Sequence, residues 1–379
     1  MRAVKILVAG DFCPEFRPQE LQIQNLPELV FNNFLEELKD NDLNVIDLEC
    51  PLMESGKPIR KSGPNIFALP INIELLKFGR IGLVAMANNH IGDYGAEGII
   101  DTMNLCHKNG IATVGVGRNI SEARQPYIAN LKGRRVAFIN ITENEWSNTH
   151  GEMPGANPLD LIDNQKDIKQ ARREADHVIV VFHGGNEFYE LPSPRIKKVL
   201  HYFADSGATA IISHHTHVSS GYEVYNNVPI FYSTGNFCYD SIDAPLPHWH
   251  YGYAVKLILS SKVDFEIIPF EQNLTKPGIH LLQGDRKKQF FGRLDGLNSI
   301  INNDQLLASR FEEFCAENAY RYDLLFEPYR NRILAYLRKR RLLPSLMSKR
   351  KKRLFLNIIR CESHRDMLLE YLGSLKSVI

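Results

Sequence analysis

Five short segments of this 379-residue chain gather side chains that bind metals and move protons. They are GDFCP (Gly10 to Pro14), DLECP (Asp47 to Pro51), ANNHIGDYG (Ala87 to Gly95), FHGGNE (Phe182 to Glu187) and SHHTH (Ser213 to His217). Each follows an apolar run, so a strand delivers its polar group to a loop, as α/β folds do when they assemble a site from distant pieces of chain. Taken alone, a His or Asp after a strand serves more often as a cap or a turn residue. The combination points elsewhere: carboxylates, an Asn and several His on five successive loops suit Zn, Mn or Fe without any thiolate. In an extended backbone residues i and i+2 point the same way, so His215 and His217 are expected to face one cavity and His214 the other. Two divalent transition metals, held about 3.5–4 Å apart by a shared carboxylate, would activate a water for in-line attack at phosphorus.

The surrounding pattern says how such loops are carried. Apolar runs at 3–9, 44–48, 81–86, 111–116, 135–141, 177–182 and 208–213 read as strands, with further strands near 222–225, 229–233 and 253–259. Between them, helical spacing marks 28–39, 72–79, 95–109, 164–173 and 194–206. Strands alternating with helices of this length indicate a layered α/β architecture, and the strand-rich stretch after 208 predicts a second, partly antiparallel sheet. NLTKPGIH, near 272, breaks the pattern, and from about 303 the chain reads as helices. The expected division is therefore a catalytic-type domain over 1–272 and a mostly helical, basic module over 273–379.

Composition narrows the function classes. Apolar residues make up 44% and charged residues 23%, the balance of a folded protein with a sizeable core. With a net charge of +1, no global field recruits nucleic acid, and no basic stripe or aromatic platform surrounds the motifs. No nucleic-acid partner is expected. The six cysteines are scattered without a C-x-x-C pair, which fits a reduced compartment. The opening MRAVKILVAGDF is too short in its apolar run for a signal-peptide core or a membrane span, so the expectation is a cytoplasmic protein. From Pro328 to Cys361 there is no acidic residue, while Arg338 to Arg341 and Lys349 to Arg353 are basic runs interleaved with Leu and Ile. That stretch is read either as a solvated helix face or as a peripheral contact with an anionic inner-membrane surface.

The order Asp, carboxylate, Asn-His, His and then His-x-His resembles the calcineurin-like metallophosphoesterase pattern. The wording around it, MANNHIGDYGAEGIIDT, HGGNE, SHHTH and YSTGNF, together with GIATVGVGRNISEARQP (Gly110 to Pro126), is similar to the CapA (poly-γ-glutamate capsule synthesis) family of that superfamily. The resemblance covers residues 1 to about 270. It implies a metallophosphatase-like sandwich of two mixed β-sheets flanked by helices, to which the helical C-terminal module is added.

The same resemblance implies roles. Asp11 would bind a first metal together with His217, and Asn89, His183 and His215 would hold a second. Glu49 or Asp47 would bridge them, Glu49 being favoured because the family reads N-L-E there. His90 would be the unligated acid beside the leaving group. Lys61 and Glu187 would meet the substrate, an anionic small molecule or polymer. The chain departs from the patterns at Cys13, where the superfamily has His, at Asp47 for Asn and at Ser213 for Gly; Cys13 is read as a small buried hydrophobe. The implied function is metal-dependent hydrolysis of a phosphoester or related bond in capsule or cell-envelope polymer biosynthesis. The alternative is a non-catalytic metal-binding accessory protein for capsule polymer assembly.

Overall fold

The computed structural model describes residues 3–241, 247–326, 332–340 and 342–374, so Pro328 and Arg341 of the basic stretch lie outside the described residues. In chain order the strands are β1 (Val4–Cys13), β2 (Leu43–Leu48), β3 (Ile81–Ala85), β4 (Ala112–Val114), β5 (Val116–Gly117), β6 (Tyr127–Leu131), β7 (Arg134–Thr142) and β8 (Gly155–Ala156). Then follow β9 (His177–His183), β10 (Ala210–His214), β11 (Tyr222–Tyr225), β12 (Val228–Phe231), β13 (Asn236–Tyr239), β14 (Tyr251–Leu259), β15 (Val263–Gln272) and β16 (Ile279–Leu281).

They form two mixed sheets and a separate antiparallel pair, β5 with β8. The first runs β16-β15-β14-β1-β2-β3-β4, with β13 also pairing β1; the second runs β11-β12-β10-β9-β7-β6. Neighbours from β1 to β4 are parallel, as are β7, β9, β10 and β12. The expected second sheet is present, but it begins at β6, and β14 to β16 return to the first sheet as antiparallel strands beside β1. Sequence order misplaced them because an apolar strand carries no mark of which edge it will join.

Strand alternation divides the side chains into three cores. Val4, Ile6 and Val8 of β1 meet Ile179 and Val181 of β9 and Ile212 of β10 between the sheets. Leu7 and Ala9 face outward under the helices Ile73–Phe78 and Gly95–Lys108, while Val178, Val180 and Phe182 pack beneath Leu161–Glu174 and Pro194–Asp205. This is the expected layered sandwich: helices, sheet, sheet, helices.

The chain separates into two compact units, Met1–Ala308 and Ser309–Ile379. That division falls later than position 272 because the helix Gly284–Ile301 buries Phe290, Leu294, Leu297 and Ile301 in the cores of the first unit. The second unit is helical, with elements at Arg332–Lys339, Lys349–Arg360 and Glu362–Ser374. Among the described residues no helix is long and apolar enough to cross a membrane.

Candidate metal centre

Parallel strands end on the same edge of a sheet, and that edge gathers the five motifs. Asp11 lies near the end of β1, Asp47 near the end of β2 with Glu49 just beyond it, and His183 closes β9. Asn89 and His90 follow β3, and His215 and His217 follow β10. All of them are buried, Asp11, Asp47 and Glu49 completely.

His215 and His217 do reach one site, but not by strand alternation. β10 ends at His214, and His215 and His217 take left-handed backbone at φ 95° and 60°. Such angles cost a non-glycine residue free energy and persist where neighbours hold them. Here the His215 amide donates to both oxygens of Asp11 at 3.3 Å, and the Phe188 amide donates to the Thr216 carbonyl at 2.8 Å. His214 turns the other way, to Thr234 Oγ1 at 2.9 Å. The approach of β1 to the segment after β12 explains Gly10, since a Cβ there would sit 2.0 Å from the Gly235 carbonyl oxygen.

Acceptor atoms converge at this edge. Asp47 Oδ2 lies 2.5 Å from His183 Nδ1, so that nitrogen donates and Nε2 turns inward. Nε2 then lies 2.9 Å from Asn89 Oδ1, 3.1 Å from His215 Nδ1 and 3.6 Å from Glu49 Oε1. On the other side His217 Nδ1 is 3.5 Å from Asp11 Oδ2 and 3.9 Å from Glu49 Oε2. Neither carboxylate oxygen of Glu49 has a hydrogen-bond partner among the described residues, although both are buried. A buried carboxylate left so is costly unless a cation accompanies it. Two of the possible metal-holding groups share this residue: Glu49, His183 and His215, and Asp11, Glu49 and His217. A third is Asp11, Asp47 and His183. The donor set, carboxylate oxygens and neutral imidazoles, fits divalent transition metals.

Electrostatics agree with that reading. Burial pushes the Glu49 carboxyl well above its usual range, and the charges of Asp11 and Asp47 push it further. Burial also raises Asp47, to about 8. His183 and His215 are driven down to about 3 by burial, and so remain neutral and free to coordinate. Burial opposes the charge on Asp11, but the hydrogen bond from His217 and nearby imidazoles outweigh it and bring the carboxyl to about 2.

Beside this cluster stands a second one. His90 Nδ1 is 2.7 Å from Asp93 Oδ2, which also accepts from the Ile66 amide at 2.8 Å. Lys61 forms an ion pair with Asp93, and its side chain is 2% exposed. The Lys61 ammonium is therefore committed to Asp93 rather than presented to an incoming anion. Asp93 orients His90 and makes no side-chain cap on the helix Gly95–Lys108. Glu187 is exposed, and its charge acts on His183, His215 and His217. Cys13 is fully buried with its thiol pushed up by burial and by Cys50, and it joins none of the metal-holding groups.

Three asparagines that sequence reasoning passed over brace the site. Asn88 donates to Asp47 Oδ1 at 3.0 Å and accepts from the His90 and Ile91 amides, shaping the loop that presents Asn89. Asn140 accepts from the Ala87 amide at 2.5 Å. Asn236 pairs with Asp11 across β1 and β13 and places Oδ1 3.0 Å from His217 Nδ1. An available signal was the repeated Asn after apolar runs. Trp249, which no motif singled out, packs its ring 4.9 Å from that of His217.

Comparison with known proteins places this geometry. The family model for the bacterial capsule synthesis protein PGA_cap matches residues 5–241. The capsule biosynthesis protein CapA of Bacillus anthracis is 34% identical over 244 residues, covering 62% of this chain and 59% of that one. The PGA biosynthesis protein CapA of Bacillus subtilis is 34% identical over 176 residues, 45% of each chain. This chain thus spans about half the length of the curated relatives it matches. A hypothetical protein from Thermus thermophilus superposes with a TM-score of 0.45 and 17% identity, over 71% of this chain and 99% of its own. The family match runs from β1 to the end of β13 and takes in every loop that contributes to the cluster, and the chain belongs to the bacterial capsule synthesis PGA_cap family.

Proposed function

We propose that the chain is a dinuclear-metal hydrolase of a phosphoester or related bond, serving capsule or cell-envelope polymer biosynthesis. The observation that carries this reading is Glu49, a fully buried carboxylate with both oxygens unpartnered among the described residues and a member of two donor groups. Asp11, Glu49 and His217 would hold one cation; Glu49, Asn89, His183 and His215 would hold the other. Two divalent cations there would supply Lewis acidity at the scissile group. The chain's own residues do the rest. Asp47 fixes His183 with Nε2 inward, as carboxylates do for ligating imidazoles. Asn236 steadies His217. Asp93 holds Nδ1 of His90, so proton transfer to a leaving group would use Nε2. Burial lowers the proton affinity of His90 and Asp93 opposes that fall. Lys61 is a positioning residue acting through Asp93. The names of the Bacillus relatives, for capsule and PGA biosynthesis, support the polymer setting and an anionic substrate.

One observation favours a non-catalytic accessory role: Cys13 occupies a position where the related pattern has a metal-binding His, which leaves the first group three donors. Elemental analysis and anomalous scattering of Mn-supplemented protein, combined with a panel of phosphomonoesters and diesters, separate the readings. Two metals with turnover support the hydrolase. Metal without turnover favours the accessory role, and no metal near His183, His215 and Asn89 sinks both.

A further inference from the structure

We propose that the helices Arg332–Lys339 and Lys349–Arg360 form a surface that docks on anionic lipid. From Pro328 to Cys361 the sequence holds 12 Lys and Arg and no Asp or Glu, so the stretch supplies no countercharge of its own. The helix Lys349–Arg360 buries none of its residues. Lys349, Arg350, Arg353 and Arg360 lie on one side of it and Leu354, Phe355, Ile358 and Ile359 on the other, with Lys351 among the apolar group, Lys352 at its edge and Leu356 on the basic side. Leu354 is 58% exposed and Ile359 55%. Ile333, Tyr336, Leu342 and Leu346 add exposed apolar area nearby in the sequence. Single exposed leucines are ordinary on a soluble protein, whereas a series on an acid-free basic segment, continued by Met367, Leu369 and Leu372 of the helix Glu362–Ser374, is not. No ion pair is seen for Lys349, Arg350, Lys351, Arg353 or Arg360 among the described residues.

A mainly basic face opposite a mainly apolar one matches a helix lying in the plane of an anionic membrane, its apolar side at the acyl boundary and its cations at the headgroups, to which Lys351 and Lys352 reach back on their long stems. Two features turn the choice from nucleic acid to lipid. Among the described residues of the stretch the exposed apolar side chains are aliphatic apart from Tyr336, with Phe355 half-buried, so base stacking lacks a broad platform. Exposed leucines and isoleucines also gain nothing from a phosphate backbone. No described helix is both long and apolar enough to cross a bilayer, and the contact proposed is a peripheral one. This inference concerns the second unit alone and does not depend on the metal centre.

The test is co-sedimentation of the full chain with vesicles of phosphatidylcholine, with and without about 30% phosphatidylglycerol, as salt rises from about 0.05 to 0.5 M. Binding should require the anionic lipid and fade with salt. Neutralising Lys349, Arg350 and Lys351 to Gln should weaken it on the order of 100-fold. The charge-preserving pair Leu354→Gln and Ile359→Gln, at exposed positions that leave the fold alone, should weaken it about tenfold or more. Equal recovery with neutral vesicles, or none with either, overturns the proposal. So does vesicle binding untouched by the Leu354→Gln and Ile359→Gln pair, with duplex RNA retained equally by both proteins, since the surface would then be a charge-only polyanion site.

Discussion

Replacing Glu49 with methionine should leave the metal-free protein as stable as before or more so, while abolishing its response to metal. Glu49 is fully buried, neither oxygen is hydrogen-bonded among the described residues, and burial with Asp11 and Asp47 nearby opposes its ionisation. An unsatisfied buried polar group costs about 1–3 kcal/mol, and removing it with an apolar residue of similar size recovers that, less up to roughly 1.5 kcal/mol for imperfect packing. The chelated variant should therefore range from unchanged to about 3 kcal/mol more stable. Metal acts in the opposite direction: at about 100 times its dissociation constant, Mn stabilises wild type by about 2.7 kcal/mol. The variant, lacking the donor common to both groups, should gain almost nothing. Urea denaturation with chelator and with Mn, backed by elemental analysis, gives the four stabilities needed. If the chelated variant is clearly less stable than wild type, Glu49 is an ordinary structural residue. Retention of two metals by the variant would refute its bridging position.

Three other outcomes are expected. His90→Ala should keep its metal and lose about 10²–10⁴-fold in rate, chiefly on alkyl esters whose leaving groups need a proton, whereas His215→Ala should lose metal and all activity; parallel assays on alkyl and activated aryl esters decide it. Asp47→Asn should fold and should weaken metal affinity about 10–100-fold through misorientation of His183, measured by competition with a chromophoric chelator. Between about pH 7 and 8 the chelated protein should lose stability as pH rises, and metal should abolish the trend, as melting curves would show. The sign follows because Asp47, raised to about 8, and His217, also raised, keep protons in the folded state that the unfolded chain releases earlier. The lowered His183 and His215, with His90, His177 and His214 lowered too, oppose this where unfolded imidazoles still hold protons, an effect that fades over about one pH unit above 6.5.

The donors and their loops were legible in the linear chain. Apolar runs of strand length ending in Asp11, Asp47, His183 and His214 carry their own signal, because a buried strand must be apolar and its polar end must leave the sheet. Asn89 and His90 were legible for the same reason, and so was the helical tail. Other features depend on partners far along the chain. That β14 to β16 return to β1 is a choice of edge, which alternation does not encode. The left-handed turns at His215 and His217 exist because Asp11, 204 residues away, accepts the His215 amide. Lys61 reads as a free cation until Asp93 is folded against it. Glu49 and Asp47 are equivalent as letters; only packing, which gives Asp47 an imidazole and an amide and leaves Glu49 with neither, separates a positioning carboxylate from one whose oxygens await a cation. Composition and periodicity are properties of neighbours in sequence, whereas desolvation and hydrogen-bond satisfaction are properties of neighbours in space.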